Sequence, residues 1–564
     1  APRKGKGSSS KAAPRKKHDE LWNEGIVPNH VCAMDRYLVS ELCDKVTTND
    51  ASLPVLCLLN ALHAVATHWL TLYPAVQGKP ILSQQEFINN KIAAKAGRQL
   101  QDPLVIMTGN LPPWLHQIAS ACPFLLPFET RQLLLYATAF DRDRALQRLL
   151  DSSPELSGSS DSQERVTPRL DRRKRTVARD DILKQAESVM QDMAPSKALL
   201  EVQYENEVGT GLGPTLEFYA LVSKELQRSD LELWHNESHG EEYSYSSVGL
   251  FPAPIPRTIR VSQLMKLRTK FRFIGKFMAK AVMDSRMLDL PLSQTFYRWL
   301  LGEEASMGLG DLLHVNPSVH ATLVKLQHVV SQYNEIENSQ DSQEEKQAKI
   351  SALELDGCPI ESLGLDFTLP GYPNIELRKG GREVNVVPEN LEEYCKLVVH
   401  WYLVEGVYRQ MECVREGMQC VFPISHLSLF YPQELDAVFC GSGSLWDVAS
   451  LMESCRPDHG YTVHSKAIKY LFEILASYTP QEQRDFVQFV TGSPRLPVGG
   501  FKALSPPLTI VRKTMDGNMN PDDFLPSVMT CVNYLKLPDY STREIMREKL
   551  SIAAKEGQRS FHLS

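Results

Sequence analysis

Apolar positions fall in blocks whose period changes along the chain. LPVLCLLNALHAVATHWL (53–70) is apolar on most sides and long enough for a buried helix. Pro74, Gly78 and Pro80 then break the pattern. ETRQLLLYATAF (129–140) reads as another helix, and DRDRALQRLL (141–150) continues it or starts the next. Residues 21–150 are therefore expected to form an all-helical module. The stretch 151–165, which ends SGSSDSQER, is Ser-rich with almost no apolar content, as a linker is. The linker region is set at 151–177. It contains a basic cluster, RRKR (172–175), which reads either as the solvated start of the next domain or as a nuclear-import signal.

Beyond the linker the pattern turns α/β. DDILKQAESVM (180–190) is helical, and LLEVQYEN (199–206) alternates as a strand does. GTGLGPTLEFYALVSKEL (209–226) reads as a glycine turn and a helix, with Pro214 at its first position. It is not a phosphate loop, because no Lys-Ser/Thr follows and Pro214 breaks the dinucleotide pattern. FRFIGKFMAKAVMDSRML (271–288) carries an apolar stripe of Ile274, Phe277, Met278, Ala281 and Val282. Lys276 and Lys280 are placed on its other side. NEIENSQDSQEEKQAK (334–349) reads as a solvated insertion within 331–358, and 391–420 as one long helical run. Gly441, Ser442, Gly443 and Ser444 form a joint between apolar segments that is able to swivel. Helices over 465–479, 482–492 and 543–557 and a strand within 506–514 follow.

Composition narrows the class. The 564 residues suffice for roughly three to five domain-sized units. A hydrophobic share of 43% and a charged share of 23% are ordinary for a soluble globular chain. The net charge of −7 argues against a general nucleic-acid binder, and no apolar run reaches membrane-spanning length. Residues 1–17 carry seven basic and no acidic residues, so a disordered tail is expected over 1–20. Eleven cysteines without a CxxC pair disfavour a zinc ribbon and suit a reducing cytosol or nucleus.

One cysteine has a suggestive setting. LPSVMTCVNYLKLPDYS (525–541) places Cys531 between Thr530 and Asn533, bracketed by Pro526 and Pro538. The prolines suggest an exposed loop, which a reactive thiolate needs. A hydrolytic cysteine would want a histidine base, and the nearest in sequence, His464 and His562, form no recognisable signature. That favours a thiol that receives an acyl group from an already activated thioester. On the residues alone, a structural loop cysteine stays open beside this reading.

The same segment resembles the active-site stretch of HECT-type ubiquitin ligases, with Leu-Pro, Thr-Cys, Asn, Leu and Leu-Pro-x-Tyr in order. FVTGSPRLPVGGF (489–501), GLGPTLEFYALVSKE (211–225), FRFIGKFMAKAV (271–282), LPLSQTFYRWLL (290–301), NLEEYCKLVVHWYL (390–403) and ELDAVFCG (434–441) resemble other parts of that family, in its order. Coverage runs from about 178 to 564. Met529 and Val532 depart from the family, which usually has His and Phe at these positions. Met529 leaves open what assists proton transfer from the acceptor amine. With GNLPPWLHQIASACPFLLPFETRQLLLYATAFDRDRAL (109–146) and the polar insertion, Met529 resembles the ubiquitin-fusion-degradation branch. Members of that branch are large, mostly nuclear proteins with upstream armadillo-like repeats. The chain therefore resembles a C-terminal fragment.

The resemblance implies an α+β, mostly helical fold: a bilobal HECT catalytic domain preceded by the all-helical module. Its large lobe would span 178–440, its hinge 441–446 and its small lobe 447–564. Cys531 would accept ubiquitin from a charged ubiquitin-conjugating enzyme and pass it to a lysine of a protein substrate or of ubiquitin. Thr530 would flank the thioester, Asn533 would help hold the loop, and Phe561 would anchor the tail for transfer. Val319, Leu323, Leu326, Val329, Leu363 and Leu365 would dock the conjugating enzyme as an exposed apolar stripe. The 21–150 module would hold an acceptor ubiquitin, with chains built at ubiquitin's lysine twenty-nine or branched, for proteasomal degradation. A folding buttress is the rival role for that module. No metal, cofactor, membrane or nucleic-acid contact is expected. The expected location is nuclear, with the cytoplasm as a second site. A cysteine hydrolase acting on ubiquitin conjugates and a noncatalytic helical scaffold are the competing functions.

Overall fold

The computed structural model describes residues 12–38, 42, 46–47, 50–73, 82–152, 167–441, 446–496, 500–504 and 506–557. Ser442, Gly443, Ser444 and Phe561 of the sequence reading lie outside them. The chain is mostly helical, with small sheets, and among the described residues there are two large hydrophobic cores and a small third cluster around Cys122 and Phe124.

The basic start is not wholly a tail. Helix α1 (Ala12–Glu24) buries Leu21 against the main core, and the Trp22 carbonyl accepts from Lys379 N at 2.9 Å. His18 Nδ1 meets Glu405 Oε2 at 2.7 Å, and its ring stacks on Tyr408. Helices α2 (Leu53–Thr67), α3 (Asn90–Leu100), α4 (Phe128–Ala139) and α5 (Arg142–Ser152) follow. All the assigned elements among the described residues of 21–150 are helices. They do not stand apart as a module: Leu134, Leu135, Leu146 and Leu149 share one core with Phe277 and Leu397 far downstream. Arg131 of α4 is buried and grips Glu434 through two nitrogens, at 2.5 and 2.6 Å. Such a forked, charge-assisted contact fixes orientation as well as contributing energy.

The basic cluster is part of a strand. β1 (Arg172–Val177) pairs in parallel with β2 (Leu199–Tyr204), in register from Arg172↔Leu199 to Val177↔Tyr204. Parallel pairing needs a crossover, and α6 (Ile182–Met193) supplies it. Helix α7 (Leu212–Glu225) follows, with Pro214 at its third position. The expected first position was too late, because the helix already starts at Leu212.

Helix α8 (Val261–Met283) is longer than its apolar stripe, and the stripe is buried as expected. Lys280 is not on a wet face. It is fully buried, and its Nζ donates to the Ser196 carbonyl at 2.9 Å and the Ala198 carbonyl at 2.7 Å. Burial pushes its pKa down to about 8, against the pull of Asp284. Periodicity places a residue on a face, but here that face is covered by the 194–198 turn.

The polar insertion is also folded. Helix α9 (Pro317–Glu337) and helix α10 (Gln343–Ser351) form a hairpin. Ser342 and Glu345 close a capping box at the start of α10, and Ile350 is buried. The run at 391–420 is interrupted. Helix α11 (Leu391–His400) passes into a π-helical turn at Trp401–Glu405, and α12 (Tyr408–Gln419) resumes after it. Helices α8 and α12 cross at contact distance, because Gly275 and Gly417 carry no side chain there. A Cβ at Gly275 would collide with the Val414 carbonyl oxygen, and one at Gly417 with that of Arg272.

Helix α13 (Pro432–Cys440) ends the large lobe. The small lobe has its own core around Leu471, Val490, Ile510 and Leu535. Strands β3 (Arg456–Asp458), β4 (Thr509–Arg512), β5 (Ser527–Met529) and β6 (Tyr534–Leu537) form a sheet in the order β3-β4-β6-β5. Helices α14 (Lys466–Ala476), α15 (Pro480–Thr491) and α16 (Arg543–Gly557) pack with it. No helix among the described residues is long and apolar enough to cross a membrane.

Gly275→Ala should lower the denaturation midpoint by the equivalent of about 1–3 kcal/mol, since a helix crossing at backbone contact has no room to relax. Urea unfolding checks this; an unchanged midpoint would show that α8 and α12 can separate without loss.

Candidate active site

The segment around Cys531 is a hairpin corner. β5 runs antiparallel to β6 with Met529 opposite Tyr534 and Val528 opposite Leu535. Thr530, Cys531 and Val532 make a single 3₁₀ turn between them. Asn533 then takes a left-handed conformation, φ 53° and ψ 42°, which non-glycine residues other than Asn and Asp rarely adopt. Its side chain is 3% exposed, and its Nδ2 donates to the Pro506 carbonyl at 2.8 Å. Its own carbonyl accepts from Thr509 N at 3.0 Å. Asn533 thus ties the turn to the start of β4. Thr530 is half-buried, and Met529 is exposed.

The turn faces the other lobe. A cavity of about 330 Å³ lies between the lobes, with Asn533, Thr491, Ser493 and Arg495 on the small-lobe side. Gly211 and Thr215 at the start of α7 form part of the opposite wall. Thr215 Oγ1 accepts from Val202 N at 2.9 Å and donates to the Gly211 carbonyl at 2.8 Å, which anchors this turn on β2. The glycine-rich stretch therefore serves the lobe contact. Arg144, Gln147, Arg148 and Asp151 of α5 close the cavity, although they precede the two lobes in sequence. Asp289 of the large lobe is clasped by Arg484 and Arg495 of the small lobe. No sequence signal marked this clasp, because its members are about two hundred residues apart.

No histidine is among the described residues lining this cavity; His464 is exposed ahead of α14. Among the described residues no group of three or more His, Cys, Asp or Glu is arranged to hold a metal ion.

The proposed docking stripe is corrected. Leu323, Leu326 and Val329 are 2%, 1% and 3% exposed and belong to the core. They are the inward face of α9, and an apolar stripe at helical spacing is buried wherever a core is available to it. Val319, Leu363 and Leu365 are half-buried at its margin. On the outward side Val324 is exposed. At the hinge, Gly441 has φ 82°, and a Cβ there would collide with the Leu496 carbonyl oxygen. Close approach and the positive φ both require glycine at this position.

Residues 220–564 match the HECT-domain (ubiquitin-transferase) family. The chain is 56% identical over 98% of its length to the E3 ubiquitin-protein ligase TRIP12 of Danio rerio, covering 28% of that protein. It is 45% identical over 85% of its length to the E3 ubiquitin-protein ligase UPL3 of Arabidopsis thaliana, covering 27%. It is 35% identical over 86% of its length to the ubiquitin fusion degradation protein 4 of Saccharomyces cerevisiae, covering 32%. The chain thus spans less than a third of each of these relatives.

Asn533→Ala should destabilise the small lobe by about 1–3 kcal/mol, by leaving the Pro506 carbonyl unpaired and straining the backbone. Asn533→Gly keeps the backbone relaxed and should lose less. Denaturant unfolding of the two variants ranks them; equal losses would mean that the left-handed turn carries no constraint.

Proposed function

The chain belongs to the HECT-domain (ubiquitin-transferase) family, and on that footing we propose that it is a ubiquitin-protein ligase with Cys531 as its nucleophile. The observation that carries this reading is the pinned hairpin turn, which holds Cys531 at the edge of the small lobe beside a cavity shared with the large lobe. A ubiquitin-conjugating enzyme delivers ubiquitin as a thioester. The Cys531 thiolate attacks that carbonyl, the conjugating enzyme's thiolate leaves, and ubiquitin is held on Cys531. Exchange between thioesters is nearly balanced and needs little base. A lysine amine then takes ubiquitin as an isopeptide. Thr530 flanks the thioester, and Asn533 keeps the turn in place. The two steps need two partners at one sulfur in turn, so the reading requires the small lobe to face each.

The finer parts of the reading rest on likeness to the ubiquitin-fusion-degradation branch. They are docking of the conjugating enzyme beside Val319, Leu363 and Leu365, anchoring of the tail by Phe561, and contact of an acceptor ubiquitin with the helices of 21–150. Chains at ubiquitin's lysine twenty-nine or branched chains, proteasomal degradation of substrates, and a nuclear location complete it.

The chain is mixed with a ubiquitin-charged conjugating enzyme in a brief pulse without acceptor and run on a non-reducing gel. A reductant-sensitive ubiquitin adduct is expected on the wild type and not on Cys531→Ala. An adduct that persists in Cys531→Ala would remove Cys531 from the mechanism. Ubiquitin lost from conjugates instead of joined to them would mark a hydrolase.

A further inference from the structure

Transfer to lysine leaves one proton unassigned. An ammonium with an ordinary pKa of about 10.4 is almost wholly protonated at neutral pH, and only the free amine attacks. A side chain that takes the proton as the bond forms typically contributes about a hundredfold or more. Met529 beside the nucleophile has no basic atom suited to this, and no histidine is among the described residues lining the interlobe cavity.

The cavity does hold carboxylates, and most are committed. Asp284 is bound by Arg144 and lies 3.5 Å from Lys280 Nζ. Glu201 is paired with Arg172 at 2.9 Å. Asp151, near the C-terminal end of α5, is different. Its carboxylate accepts from Gln147 Nε2 at 2.8 Å, and among the described residues no cation lies within ion-pairing distance of it. Arg148 lies over the Tyr136 ring instead, 5.0 Å from its centre. The Nε atoms of Arg144 and Arg286, both on the cavity wall, are buried without a hydrogen-bond partner. A wall with unsatisfied donors suits a polar occupant. Asn533, two residues from Cys531, lines the same cavity as Asp151.

We propose that Asp151 takes the proton of the acceptor lysine in this cavity. The lysine nitrogen bonds to the thioester carbonyl carbon, the carbon–sulfur bond breaks, and Cys531 leaves as the thiolate. The proton lost by nitrogen goes to an Asp151 carboxylate oxygen. This assignment rests on the transferase reading above. It places a reacting group outside the residues that match the family, 220–564, on a helix that precedes them. Burial, opposed by the Gln147 bond and by Arg148 and Arg286, raises the Asp151 pKa and so strengthens it as a base. The cations that face the cavity from the other elements, Arg172 from β1 and Arg495 from the small lobe, are held by Glu201 and Asp289.

The test separates the two steps. Wild type, Asp151→Asn and Asp151→Glu are charged through a conjugating enzyme, and discharge of the Cys531 thioester onto free lysine is timed near neutral pH and about two units higher. Asp151→Asn should form the thioester as wild type does, which also shows that it is folded. Its discharge should slow about a hundredfold near neutral pH. The gap should narrow at the higher pH, where more lysine is the free amine. Asp151→Glu should recover part of the rate. Discharge at the wild-type rate, a gap that does not change with pH, or an equal loss of thioester formation would each overturn the assignment. Absence of a thioester on the wild type would instead overturn the transferase reading, and this proposal with it.

Discussion

The buried ionic knot of Arg144, Lys280 and Asp284 is the constraint on which the interlobe surface depends. All three side chains are almost entirely removed from water. Isolated charges at such depth would cost several kcal/mol each, so every lone pair and proton must be used. The knot meets most of that demand, with the Arg144 Nε as the exception. Arg144 donates to the carbonyls of Met283 at 2.9 Å and Lys197 at 2.8 Å, and Asp284 accepts from Leu200 N at 3.2 Å. Lys280 takes the Ser196 and Ala198 carbonyls. Three pieces of chain remote in sequence, the start of α5, the end of α8 and the entry to β2, are thereby fixed together. The wall of the cavity beside Cys531 is built from these pieces.

This arrangement explains why the upstream helices and the large lobe share one core. Helix α5 reaches the end of α8 through Arg144, and α4 reaches α13 through Arg131 and Glu434. Helix α5, tied in this way, forms part of the wall of the interlobe cavity. The buttress reading of these helices and a part for them in the reaction are compatible, since rigid placement of reacting groups is what the chemistry needs.

The small lobe is held differently. Its core is separate, and its ties to the large lobe include the clasp of Asp289 by two arginines and the close approach of Gly441 to Leu496. Ion pairs with partial access to solvent contribute little and are screened by salt. The turn that carries Cys531, by contrast, is pinned within the small lobe by Asn533.

Much of this was legible in the chain itself. The apolar stripe of α8, the strand at 199–204 and the ordered motifs of the family are local patterns, and local patterns survive in sequence because they depend on neighbours three, four or two positions away. The sequence also singled out Asn533, whose side chain bonds the Pro506 carbonyl. What it could not determine was which faces meet. Lys280 reads as a surface lysine until the 194–198 turn covers it. Leu323, Leu326 and Val329 read as a docking stripe until α9 lies on the core. RRKR and most of the polar insertion stay solvated as read, but the sequence did not show that the first is a strand paired with β2 or that the second folds as a helical hairpin. Burial is a property of the partner surface as much as of the residue, and the partners here lie up to hundreds of positions away. The sequence by itself placed the chain in its family and singled out Cys531 as the candidate nucleophile; only the tertiary structure brought Asp151 to the cavity that Asn533 lines, because that placement depends on buried charges meeting across the fold.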